Sequence, residues 1–252
     1  MLEIRPAQMK VFEEAALLRF EDEMVGHLRQ LAPQHCNAVG EEGLRQVIRT
    51  GFKRAAGYSL TNRGPVRFYL DLMIMLGSDF DTDPQYPWAA ALLKDSAIPD
   101  QMTRAERLYE KAMDYSAKVF GQGYEQEKAA VRRAGLAKYE ELPFFDAGSV
   151  GELVKYFESI FPEKVRYLGE PPMPALATRA KTLSEQHRLA PERGPAVLAG
   201  LMFAFGHGVT TDPQFPWVAA TLVRDTQDHA IRTERLFRRA LTYQRLGEAQ
   251  QT

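Results

Sequence analysis

Cysteine is nearly absent from this sequence: Cys36 stands alone among 252 residues. A single thiol excludes an intramolecular disulfide and leaves no cysteine partner for a structural zinc site. Its expected role is that of a small apolar filler near a helix end, in a chain of a reducing compartment. Charge of one sign is also lacking. Thirty-two basic residues against thirty-three acidic ones leave a formal charge of -1, so there is no overall basic footprint for nucleic acid and no acidic tail. No apolar run is long enough for a membrane span. The longest, from Pro195 to Gly206, falls well short of the ~20 residues required. Met1-Leu2-Glu3-Ile4-Arg5-Pro6 has no apolar core of a signal peptide, and a cytoplasmic location is the expectation.

Local catalytic patterns are missing too. His27, His35, His187, His207 and His229 form no His-x-x-x-His or Glu-x-x-His spacing, so helical metal ligation has no local support. Ser78 sits in Leu76-Gly77-Ser78-Asp79, which is not a nucleophile elbow. Gly121-Gln122-Gly123 lacks the following Gly, Lys or Thr of a phosphate loop and reads as a linker break. No catalytic residue, cofactor or metal is expected, although a site assembled from distant residues would leave no such trace.

What the sequence does contain is a repeat. Thr82-Asp83-Pro84-Gln85-Tyr86-Pro87-Trp88-Ala89-Ala90 recurs as Thr211-Asp212-Pro213-Gln214-Phe215-Pro216-Trp217-Val218-Ala219. The match extends upstream, Leu72 to Gly77 against Leu201 to Gly206, and downstream, Arg104 to Tyr109 against Arg232 to Phe237. Further upstream it survives only as a pattern, with Pro33 against Pro162 and Gly40 against Gly169. We read this as two tandem, divergent copies in an all-α chain.

Each copy reads as about five helices. In the first, apolar residues recur at helical spacing from Pro6 to Leu31, where Pro33 ends the helix. Further helices are expected from Glu41 to Gly57, Pro65 to Gly77, Trp88 to about Lys94 and Thr103 to Val119. The second copy places them at Ser149 to Phe161, Met173 to His187, Pro195 to Gly206, Pro216 to about Arg224, and Ala230 to Leu246. Gln122 to Tyr139 is polar and weakly periodic, a connecting helix. The units are therefore 1–121 and 149–252, joined by 122–148, with no strand expected.

The signature reads as a cap-and-packing device. Asp83 and Asp212 would be helix N-caps, with Pro84 and Pro213 as first helical residues and Pro87 and Pro216 restarting that geometry one turn on. Trp88 and Trp217 would pack on the preceding helix and find a carbonyl for the indole N–H. Arg104, Arg107, Arg232 and Arg235 could bind a carboxylate across helices. Asp79-x-Asp81-x-Asp83 resembles the start of a cation loop, but it lacks the glycine and glutamate that must follow. The copies differ at Asp79 and Asp81 against Gly208 and Thr210, and at Ser78 against His207. Asp79, Asp81, Ser78 and His207 are therefore the candidate partner-binding residues.

The string from Leu70 to Ala89, with His27-Leu28-Arg29 and Pro33 before it, resembles a poorly characterised family of bacterial all-helical proteins. That family is associated with gene neighbourhoods of type VI secretion spike components, effectors and polymorphic toxins. The resemblance implies a context and no mechanism; with a broad surface from duplicated helical units and no catalytic constellation in view, the expectation is a non-enzymatic, protein-binding accessory, in that context an adaptor or chaperone for a secreted effector. Two alternatives stand beside it. One is an immunity protein that presents the acidic loop from Asp79 to Asp83 to a toxin. The other is a small hydrolase or toxin with an unrecognised site.

Overall fold

The computed structural model describes residues 6–144, 150–223 and 228–248. The chain is all-α, with no strand among the described residues. Its first half runs α1 (Pro6–Leu31), α2 (Pro33–Val39), α3 (Glu41–Gly57), α4 (Arg63–Leu76), α5 (Pro87–Leu93) and α6 (Gln101–Tyr115). A π-turn (Ser116–Phe120) continues α6, and Gly121 (φ 77°) breaks it. The connector α7 (Glu125–Gly135) follows. The second half runs α8 (Val150–Ile160), α9 (Pro162–Leu168), α10 (Pro172–Gln186), α11 (Gly194–Phe205), α12 (Pro216–Leu222) and α13 (His229–Glu248). The expected start of α8 at Ser149 lies outside the described residues, as does the expected end of α12 at Arg224.

Among the described residues each half thus has six α-helices, not five. The extra ones are α2 and α9. Pro33 does end α1, but it also opens α2, because its fixed φ suits a first turn that needs no N–H donor. Pro162 does the same for α9. Gly40 (φ 78°) and Gly169 (φ 65°) stop these two short helices in a conformation that favours glycine.

The helices most surrounded by protein are α4 and α11. Val66, Tyr69, Leu70, Leu72, Met73 and Leu76 are buried on α4, while α11 buries an unbroken run from Gly194 to Ala199. One apolar core forms around each. Phe161, between α8 and α9, packs against both, so the cores meet rather than stand apart. Cys36 is buried on α2, where its thiol donates to the Leu28 carbonyl at 3.2 Å, and burial pushes its pKa up to about 11. The four arginines flanking α6 and α13 do not gather into one site. Arg104 is buried and donates to the Leu93 carbonyl, Arg107 pairs with Glu110 on its own helix, and Arg232 donates to the His187 carbonyl.

No helix of the described residues is long and apolar enough to cross a membrane.

Candidate functional site

The repeated signature is a joint between the halves. Gly77 and Gly206 end α4 and α11 at φ 98° and 97°, and they meet back to back. A Cβ on Gly77 would lie 2.5 Å from the Phe205 carbonyl oxygen, and one on Gly206 would lie 2.8 Å from that of Leu76. Only glycine permits both the positive φ and the close approach.

Around this contact the bonds are reciprocal. Asp83 accepts the Gln85 N–H at 2.9 Å in its own loop and the His207 N–H at 2.7 Å across the joint. Asp212 accepts the Gln214 N–H at 2.9 Å and, across the joint, the Ser78 N–H at 2.8 Å. The Gln85 amide donates to the Met202 carbonyl at 2.9 Å, and the Gln214 amide donates to that of Met73 at 2.8 Å. Each loop therefore satisfies backbone groups at the end of the other half's central helix. Burial holds the Asp212 carboxyl above the usual carboxylate range, against the lowering effect of the Ser78 and Gln214 bonds.

This geometry corrects the reading of Asp83 and Asp212 as helix N-caps. Pro84 and Pro213 lie in turns, and the helices begin at Pro87 and Pro216 after Tyr86 and Phe215. The aspartates bridge two halves instead of capping one helix. Trp88 and Trp217 pack against the two cores, and Trp217 stacks on Tyr243 with ring centres 5.6 Å apart. Their indole N–H groups have no hydrogen-bond partner, so the expected carbonyl is not there.

Three of the four candidate partner-binding residues, Ser78, Asp79 and His207, meet across this joint, while Asp81 turns into the first half. Ser78 is buried, and its hydroxyl donates to Asp212 at 2.7 Å while accepting from the Gln214 amide at 2.9 Å. Asp81 is only 2% exposed, ion-paired with Arg54, and accepts from the Tyr69 hydroxyl at 2.7 Å. Asp79 is half-buried and pairs with the same Arg54 at 2.6 Å. It rests on Gly208, where a Cβ would fall 1.8 Å from its Oδ2. The second half has glycine there because the first half's aspartate occupies the space. His207 is half-buried, with its Nε2 3.2 Å from the Thr82 hydroxyl and its carbonyl accepting from Arg179. Burial lowers its ring pKa, opposed by Asp83. Among the described residues no group of three or more His, Cys, Asp or Glu side chains could hold a metal ion.

A second difference between the halves lies beside this joint, on α2 and α9. His35 and Lys164 are each the second residue after the proline that opens the helix, and each reaches the other half's signature. His35 is fully engaged: Nδ1 lies 2.7 Å from the Tyr243 hydroxyl, and Nε2 lies 2.9 Å from Gln214 Oε1. Burial lowers its pKa, in keeping with a neutral ring that accepts at one nitrogen and donates at the other.

Lys164 occupies the corresponding place less completely. It is buried, with its ammonium hydrogen-bonded to the Phe203 carbonyl and 3.4 Å from the Tyr86 hydroxyl. It also stands 4.7 Å from the centre of the Phe203 ring. Among the described residues no carboxylate lies within ion-pairing distance of it. Gln85 Oε1, the counterpart of the atom His35 bonds, has no partner. Burial brings the Lys164 pKa down to about 8, opposed by the more distant charges of Asp83 and Glu127.

Lys164 lines a cavity of about 220 Å³. The connector α7 and helices α8, α9, α11 and α13 supply most of its lining. Phe157, Phe161, Phe205 and Leu241 supply apolar wall, while Ala134 and Gly200 leave room. A Cβ on Gly200 would meet nothing within 4 Å. The other ionisable group on the wall besides the tyrosines is Glu127 of α7. Among the described residues it has no hydrogen-bond partner, and burial raises its pKa. Sequence reasoning missed both residues. The register of Pro33 with Pro162 already places Lys164 against His35, but no motif links an imidazole to an amine.

No family model, curated protein or solved structure matches the chain.

Proposed function

We propose that the chain is a non-enzymatic, protein-binding accessory of the adaptor or chaperone type, and that it holds its partner by an apolar segment in the cavity beside α7. The cavity carries this reading. At about 220 Å³ it exceeds the ~150 Å³ of an engineered cavity that binds benzene. Its wall is mostly aromatic and aliphatic, with a few fixed polar groups, as in sites that bind apolar ligands. Apolar wall left without internal packing is stabilised when a partner fills it.

That the partner is a secreted effector of a type VI system is part of the proposal, motivated by the resemblance at Leu70 to Ala89. The immunity-protein alternative draws less support. An inhibitor that uses an acidic loop must present its charges, whereas Asp81 and Asp83 are each 2% exposed, Asp81 held by Arg54 and Tyr69 and Asp83 engaged across the joint.

Gly200→Leu tests the proposal. The substitution places a side chain in open space and improves helix propensity by about 0.5–1 kcal/mol, so it blocks the cavity and leaves the fold intact. Co-purification with the products of flanking genes should yield a stable complex that Gly200→Leu abolishes. A complex indifferent to Gly200→Leu would move the binding site elsewhere.

A further inference from the structure

We propose that the cavity receives the C-terminal end of a partner polypeptide, an apolar residue whose terminal carboxylate pairs with Lys164. This rests on the preceding reading of the cavity as the binding site and adds which part of the partner enters it.

The first argument is charge complementarity. A buried ammonium is costly unless an anion meets it, and Lys164 has only a carbonyl and a hydroxyl. An ammonium has three N–H donors, so one remains for an incoming acceptor. At the corresponding position of the other half, His35 uses both ring nitrogens and stays neutral, which removes any call for a counter-ion. The halves thus present one completed polar contact and one that lacks an anion, and the incomplete one opens on the cavity.

Glu127 also faces the cavity and has no hydrogen-bond partner among the described residues. It would repel a second carboxylate and would accept N–H groups. A peptide end brings both a terminal carboxylate for Lys164 and backbone N–H donors for Glu127. A simple alkyl carboxylate brings only the first. The volume, about 220 Å³, suits the last one or two side chains of a polypeptide better than a segment threading through. Capture of a chain terminus by fixed polar groups is a recurrent mode of peptide recognition.

The experiment uses the full chain and calorimetric titration with three probes: a synthetic peptide ending in Leu-Leu with a free carboxylate, the same peptide as its C-terminal amide, and dodecanoate. A charge-assisted hydrogen bond to a buried group predicts roughly tenfold or greater preference for the acid peptide over the amide. Lys164→Met should remove that preference, Glu127→Gln should keep it, and Gly200→Leu should abolish binding. The comparison of acid with amide on the unaltered chain stands even if a variant fails to fold. Equal binding of acid and amide overturns the role of Lys164, while loss of both with Gly200→Leu leaves the cavity reading intact. Binding of dodecanoate and neither peptide overturns the peptide terminus as occupant, as does no binding of any probe. Acid preference that survives Gly200→Leu overturns the cavity itself.

Discussion

The carboxylate of Asp83 accepts the backbone N–H of His207 at 2.7 Å, across the joint between the halves of the chain. The reciprocal bond runs from Ser78 to Asp212. Removing either carboxylate strands buried donors, at about 1–3 kcal/mol for each. Asp83→Ala and Asp212→Ala should therefore each destabilise the fold by at least ~2 kcal/mol in urea unfolding. Because the loops share one interface, the double variant should depart from additivity by more than ~0.5 kcal/mol. Costs below that figure, or strict additivity, would show that the joint does not hold the halves together.

The two glycines at the centre of that joint give a sharper steric test. Gly77→Ala and Gly206→Ala each force a side chain onto a positive φ and into a backbone carbonyl of the other half. Each should cost more than the ~1–3 kcal/mol of the strained backbone alone. Gly26→Ala is the control. That position lies inside α1 with nothing within 4 Å of an added Cβ, and the change should stabilise by about 0.5–1 kcal/mol. Thermal melts of the three variants should separate in opposite directions.

Arg54 is the counter-charge for Asp81, which is buried and also accepts from the Tyr69 hydroxyl. Arg54→Met removes one side of a buried pair and should cost about 3–5 kcal/mol. The conservative Asp79→Asn should cost far less, since Asp79 is 28% exposed and partly exposed pairs contribute little. Chemical denaturation of both variants checks the ranking. Equal losses would contradict the assignment of Asp81 as the structural partner.

Lys164 makes stability depend on pH with an unusual sign. Its pKa falls from 10.5 to about 8 in the fold, so the unfolded chain binds more protons between those values. Stability then rises as pH increases through that window, by about 1 kcal/mol per pH unit. Cys36 works the other way above pH 9.0, because its thiol is held up at about 11. The comparison with Lys164→Met isolates the lysine. The variant should be the more stable at pH 7, with the gap closing between pH 8 and 10. A gap that stays constant over that range would show that the amine is not buried in charged form.

The all-helical class and the register of the signatures were legible in the sequence because Pro, Gly and apolar spacing act locally. Pro33 and Pro162 open α2 and α9 as well, since a proline that stops one helix suits the first turn of the next. The partners of the signature were not legible. Asp83 looked like a cap because a local N–H is the usual acceptor's target, whereas its second donor, His207, comes from the other half. Asp79 against Gly208 looked like a functional difference and is steric, one side chain filling the space of its counterpart. The cavity arises from the packing of α7, whose weak apolar face of Ala130, Val131 and Ala134 gave little periodic signal.

The central claim is that the cavity beside α7 holds a partner protein. Its most direct measurement is co-purification of the full chain, and of Gly200→Leu in parallel, with the products of the flanking genes, after circular dichroism and melting show the two equally folded. The account predicts a stoichiometric complex with the unaltered chain and none with Gly200→Leu. Equal recovery of the partner by both chains would contradict it.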